Sequence, residues 1–190
     1  MNAPACLPGI PRLRTIDAVR KPPYARGMLT ALAAIDRLRG LSPRAANFVL
    51  SQAVPQIIPS ASGLGLKVEE LSDARSRASL PLKRRTKNHV GSVYFGAQMT
   101  LMEITMGLVL FRHFPPGPYG MLVNRVEADF HAKGKGAVRA VCEPADAVAE
   151  LTRALAQGPK AEAWVTVRLL DARDDKPITT ARFLAAVRKF

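Results

Sequence analysis

Residues 96–114 read GAQMTLMEITMGLVLFRHF, and the arrangement of the whole chain turns on them. Met99, Leu101, Met102, Ile104, Met106, Leu108, Val109, Leu110 and Phe111 leave almost no polar face. The run is too long for an ordinary strand and too short and polar to span a membrane, so it predicts a buried helix. Its one formal charge before the last turn is Glu103. A buried carboxylate needs a partner or must become neutral, so this position calls for a reason. Helical spacing places Met99, Thr100 and Gly107 on the side of Glu103, around a space where a ligand could lie. The alternative is a structural role, in which Glu103 caps a backbone group or pairs with an arginine of a neighbouring strand or subunit.

On both sides of this helix the periodicity changes to two. Upstream, Leu64, Leu66 and Val68 share one face. After a turn at Ser72-Asp73, Ala78 and Leu80 oppose Arg75 and Arg77, which predicts two paired strands. Downstream, Val126, Ala128, Phe130 and Ala132 alternate with Arg125, Glu127, Asp129 and His131. The turn Lys133-Gly134-Lys135-Gly136 predicts a hairpin into residues 137–142. Residues 146–157 form an amphipathic pattern stopped by Gly158-Pro159, a surface helix between the fourth and fifth strands. Residues 161–169 and 181–187 supply two last strands, of which the first carries Trp164 on its polar face. Two strands, one long apolar helix and four more strands predict an α+β fold. A curved antiparallel sheet of about six strands wraps around the central helix.

The N-terminal part is helical. Met28, Leu29, Leu32, Ile35 and Leu38 recur at helical spacing up to Gly40. Ser42-Pro43 then reads as an N-cap with proline at the first helical position, opening a second helix that ends before Pro55. This divides the chain into a tail and helical hairpin, residues 1–58, appended to a main domain, residues 59–190.

Composition narrows the function. With 190 residues and 48% hydrophobic content, one ordinary domain is expected. Cys6 and Cys142 suggest neither a disulfide framework nor a thiolate metal site, and a reducing, cytoplasmic setting fits. No secretory signal and no membrane span are expected. The net charge of +13 favours anionic partners, yet the basic residues are scattered and no nucleic-acid module is recognisable, so specific nucleic-acid binding is not expected. His89, His113 and His131 have no ligand spacing with a Cys or carboxylate cluster, so neither a metal nor another cofactor is expected. Lys83-Arg84-Arg85, Lys133 and Lys135 could meet the phosphates of coenzyme A or the acidic face of a carrier protein, although charges beside turns are more often simply solvated.

Chemistry concentrates just before the long helix, in residues 87–97, KNHVGSVYFGA. Small residues there let the backbone approach a ligand, and free N–H groups at a helix N-terminus can hydrogen-bond an oxygen that gains negative charge. Taken singly, Asn88 and Gly91 read as ordinary turn residues.

The run Asn88, Gly91, Gly96 and Glu103 resembles the motif of hot-dog-fold thioesterases related to the phenylacetyl-CoA thioesterase and to the YiiD C-terminal domain. The likeness in element order covers residues 59–190, and its specific motif lies within residues 88–107. It implies that Glu103 activates water or attacks the thioester, that the amide at Gly96 polarises the carbonyl, and that Asn88 helps position either. It also implies that the site forms between two subunits, in a homodimer or a dimer of dimers. His89, Gly91, Tyr94, Phe95, Ala97, Met99 and Thr100 are the residues expected around the substrate, an acyl-CoA or acyl-carrier-protein. Many members have His-Gly-Gly where this chain has Tyr94-Phe95-Gly96, and their carboxylate is often Asp. Two further functions are therefore open: a non-catalytic acyl-ligand binding module, and a dehydratase on the same fold, which needs a histidine facing the carboxylate.

Overall fold

In the computed structural model, residues 25–190 are described, with side chains from Ala33 onward; Cys6, Met28, Leu29 and Leu32 lie outside the described side chains. The elements run α1 (Ala25–Leu41), α2 (Pro43–Ile57), β1 (Lys67–Leu71), β2 (Ser76–Leu80), α3 (Phe95–His113), β3 (Tyr119–Phe130), β4 (Val138–Cys142), α4 (Ala145–Gln157), β5 (Lys160–Asp171) and β6 (Pro177–Lys189), with a short 3₁₀ turn at Pro59–Ala61. The six strands form one antiparallel sheet in the order β1-β2-β4-β5-β6-β3. This sheet around α3 is the hot-dog arrangement.

The core follows from alternation in the strands. Ala161, Ala163, Val165, Val167 and Leu169 of β5, with Ala181, Phe183, Ala185 and Val187 of β6, are buried against the sheet's inner layer. The α3 residues Leu101, Met102, Ile104, Met106, Val109 and Leu110 join the same cluster. The helix packs on β2, β4 and β5. α4 packs on β5 through Ala147 and Leu151, and Cys142 is a free, buried thiol whose burial pushes its pKa up to about 12.

The hairpin is built into this core. Leu50 and Val54 of α2 belong to the central cluster. α2 also covers the β1 edge: Val68 N–H donates to Ser51 Oγ at 2.8 Å, and Asn47 Nδ2 donates to the Glu69 carbonyl at 2.8 Å. Backbone groups that would otherwise lie open at a sheet edge are thereby satisfied.

Four local expectations are corrected. α1 continues through Gly40 to Leu41, because Ser42 N–H still bonds the Leu38 carbonyl and holds the glycine inside the last turn. α2 runs past Pro55 to Ile57; a proline in the last turn removes one donor but leaves little helix beyond it to break. The second N-terminus matches its reading, with Ser42 extended and its side chain accepting from Ala45 N–H. β1 lies three residues later than the alternation at Leu64 suggests, and a bulge falls between Val68 and Glu70. The fourth correction is topological. β3 and β4 form no hairpin: β3 pairs with β6, and β4 sits between β2 and β5. The glycine-rich segment 133–136 is instead a crossover, held by Val93 N–H donating to the Gly134 carbonyl at 2.9 Å. A Cβ on Gly134 would stand 3.1 Å from Val138 Cγ1 and 3.3 Å from Val93 Cγ2, so close approach explains this glycine.

Candidate active site

Two parts of the molecule were expected to combine into one site, the loop before α3 and the middle of α3. They are built very differently. In the loop, Asn88 folds the chain on itself. Its Oδ1 accepts from Val90 N–H at 3.1 Å and from Ser92 N–H at 2.9 Å, its Nδ2 donates to Ser92 Oγ at 3.0 Å, and its backbone N–H donates to the Ser92 carbonyl at 2.8 Å. Gly91 takes φ +78°, the left-handed conformation that this turn requires and that glycine adopts without a steric penalty. Asn88 is thus a turn-former whose polar atoms are occupied. His89 and Val90 stand exposed at the loop tip.

The end of the loop presents α3. Tyr94 is its N-cap in extended conformation, with its N–H donating to the Thr86 carbonyl at 2.7 Å and no side-chain cap. The N–H groups of Phe95, Gly96 and Ala97 have no acceptor among the described residues, as the first turn of a helix dictates. A Cβ on Gly96 would meet the Tyr94 ring at 2.8 Å, so any larger residue here would have to turn that exposed ring aside. Phe95 meets Phe130 from the end of β3 in a tilted contact, 5.8 Å between ring centres and 57° between planes, and both rings are about half exposed.

A buried residue that the sequence reading passed over fixes this helix end. Gln98 Nε2 donates to the Val93 carbonyl at 2.9 Å, while its Oε1 accepts from Thr179 Oγ1 of β6 at 2.7 Å. A glutamine in the first turn of an otherwise apolar helix was the available signal.

Glu103 lies one helix face away, and the expectation that it is buried is corrected: its side chain is exposed. The sheet covers the face bearing Leu101, Thr105 and Val109, so residues on the opposite stripe escape it. Thr100, Glu103, Gly107 and Phe111 form that stripe at spacings of three and four, and all line a cavity of about 350 Å³. Met99 does not line it, and packs half-buried against the core instead. The other walls come from α1 and α2 through Ile35, Leu50, Ala53, Val54 and Ile57, and from β3 through Met121, Leu122 and Val123. Among the described residues of the lining Glu103 is the one that is charged and Ser60 and Thr100 are the other polar side chains, and no hydrogen bond or ion pair reaches Glu103 from the described residues. The structural alternative of a carboxylate held by an arginine or a backbone group is not what the described residues contain. The hairpin residues were not expected as site residues; nothing in their helical periodicity distinguishes a cavity wall from ordinary packing.

The histidines are occupied elsewhere or remote. His113 Nε2 meets the Asp73 carbonyl, His131 Nε2 meets Thr180 Oγ1, and no histidine lines the cavity. No group of three metal-ligating side chains occurs among the described residues. Trp164 lies half-buried on the outer face of β5, with Arg182 over its ring at 4.7 Å and Arg125 at 5.9 Å. No described helix is long and apolar enough to cross a membrane.

A family model described as a domain of unknown function, DUF4442, matches residues 46–185. No curated protein matches the chain. Among solved structures, the chain is similar to a Pseudomonas aeruginosa protein of unknown function described as a probable thioesterase, with 23% identity and a TM-score of 0.67 over 75% of this chain and 95% of that one. A mutant thioesterase from the same organism has 21% identity and a TM-score of 0.55, covering 72% of this chain and 94% of its own. A thioesterase from Haemophilus influenzae has 16% identity and a TM-score of 0.57, covering 74% and 88% respectively. At these identities the likeness establishes the hot-dog fold.

Proposed function

The chain belongs to the DUF4442 family, and from that premise we propose that it hydrolyses an acyl thioester, an acyl-CoA or acyl-carrier-protein, with Glu103 as general base. The observation that carries this reading is an unpartnered carboxylate in the wall of an otherwise apolar cavity, on a hot-dog scaffold. An apolar pocket with one convergent charged group suits a substrate that joins a hydrocarbon chain to a single reactive carbonyl.

In this mechanism the Glu103 carboxylate takes a proton from water as the water oxygen attacks the thioester carbon. The carbonyl oxygen, now negative, accepts hydrogen bonds from the free amides at Gly96 and Ala97. The carbon–sulfur bond then breaks, and the proton passes from Glu103 to the departing thiolate. Gly96 and Glu103 are seven residues apart, about 10 Å along the axis of one helix, so one helix cannot readily bring both groups to the same carbonyl. A symmetric second copy can supply the missing group. Leu122, Val126 and Phe130 on the open β3 flank, with Phe95 beside them, leave apolar surface for such a copy to cover. In this proposal residues 59–190 are the catalytic hot-dog unit and the hairpin is its cover.

The test is thiol release from short, medium, long and aromatic acyl-CoAs by the wild type and Glu103→Gln. Release that is lost in the variant supports the mechanism, and full activity in the variant on every substrate sinks it. One observation favours a second reading, a non-catalytic acyl-ligand module: Asn88 has its side chain committed to Ser92 and is not free to position water. That reading predicts saturable acyl-CoA binding without thiol release.

A further inference from the structure

The cavity that Glu103 faces is elongated along α3. Thr100, Glu103, Gly107 and Phe111 border it on successive turns, a span of about 16 Å at the rise of an α-helix. Midway, Gly107 presents no side chain, and the Met121 methyl group would stand 4.0 Å from a Cβ placed there. Apart from Glu103 the described residues of the walls offer no charge, so a ligand group bearing its own carboxylate or phosphate would lose hydration beside them without recompense. These features suit an elongated neutral group rather than a charged one.

At its Phe111 end the cavity adjoins a second cavity. Ile35, Leu50, Leu108 and Phe111 line this cavity and also a second one of about 300 Å³. The second chamber is polar at its other wall. Arg39 Nη1 donates to Asp36 at 2.6 Å, Arg112 bonds the same carboxylate, and Arg39 Nε and Nη2 are buried without an acceptor. A hydrocarbon passing the four-residue partition would leave apolar walls and press against charged groups.

We propose that the hairpin-covered cavity is a length gauge for an unbranched, uncharged acyl chain, with Glu103 at the thioester end, Ala53 of α2 in its wall and the partition as its stop. The inference rests on the reading of Glu103 as the site of thioester chemistry. From Glu103 to Phe111 is about 12 Å along the helix axis. An extended backbone gains about 1.2 Å per bond, so a chain of about ten carbons fills the distance. Chains beyond that length meet the stop.

The experiment separates this inference from the hydrolytic reading by measuring each independently. Thiol release from saturated acyl-CoAs of graded length is recorded for the wild type, Ala53→Phe and Leu108→Ala. Binding of the same acyl-CoAs is measured by calorimetry with each change placed in Glu103→Gln. We expect a wild-type optimum near ten carbons. Ala53→Phe should move it to shorter chains with about a tenfold loss on the former optimum, the discrimination one or two methylenes command in an apolar pocket. Leu108→Ala should extend it toward longer chains. If Ala53→Phe does not fold, Gly107→Ala narrows the same cavity while improving helix propensity, and the same shortening is expected. Folded variants that keep the wild-type length profile overturn the gauge even if thiol release depends on Glu103. A shifted binding profile without any thiol release leaves the gauge standing and removes the hydrolysis. Absence of both binding and release overturns both.

Discussion

The loop before α3 and the stripe along α3 carry the same kinds of polar atoms and use them in opposite ways. Asn88, Ser92, Thr86 and Gln98 have their side-chain polar groups joined to one another, to backbone or, for Gln98, to the Thr179 hydroxyl. Seven residues beyond the first-turn amides, the Glu103 carboxylate is joined to nothing in the described protomer. Satisfied polar groups fix a shape. A group left unsatisfied beside an apolar cavity is available for a ligand, and the contrast separates the positions that hold α3 in place from the position proposed to act.

The largest effect expected from this contrast is at Glu103. Glu103→Gln should lower the rate of thiol release by about 10²–10⁴-fold, the usual contribution of a positioned general base, while the thermal midpoint hardly moves because an exposed group with no partner is changed. A parallel loss of rate and stability would place Glu103 among the structural residues. Next comes Gln98→Leu, which orphans the Thr179 hydroxyl and the Val93 carbonyl. It should cost about 1–3 kcal/mol in urea unfolding. Adding Thr179→Val should recover part of that cost, since the second orphan is then removed. Asn88→Ala should cost about 1 kcal/mol, with the rate falling no more than the loss of folded protein explains. A selective fall in kcat with unchanged stability would instead give Asn88 a part in the chemistry.

The smallest effect concerns pH. Hydrogen bonds from the Arg173 side chain and backbone hold the Asp171 carboxyl down to about 2, below its ordinary value of 3.8. A depressed folded-state pKa contributes stability that is present above pH 4 and lost as pH falls through about 2. Arg173→Ala should therefore move the midpoint of acid unfolding upward, visible by circular dichroism, and leave the neutral-pH rate unchanged.

The residues explain which features were legible in the sequence. Apolar residues on every side of 96–114 could only be a buried helix, and strict alternation at Ala161–Leu169 could only be a half-buried strand, so the layered architecture followed. The pairing of β3 was not legible because alternation reports a face and not a neighbour. Lys133-Gly134-Lys135-Gly136 has turn chemistry whether it closes a hairpin or crosses the sheet. For the site, helical spacing placed Met99, Thr100 and Gly107 on the side of Glu103; Thr100, Glu103 and Gly107 do line one cavity, and Met99 turns into the core instead. The burial of Glu103 was misjudged because helix composition cannot say which stripe the sheet leaves uncovered. The contribution of α2 depends on contacts distant in sequence and left no local trace.

The placement of β3 also has a consequence for synthesis. Among the described residues its only partner strand is β6, with Phe130 opposite Thr179 and Tyr119 opposite Lys189, so the pairing spans 49 to 70 residues of chain. On a ribosome β3 emerges several seconds before the strand it needs, at about 5–20 residues per second. During that interval Leu122, Val126 and Phe130 are exposed on an unpaired strand, and a nascent chain at that stage is a natural client for a holding chaperone.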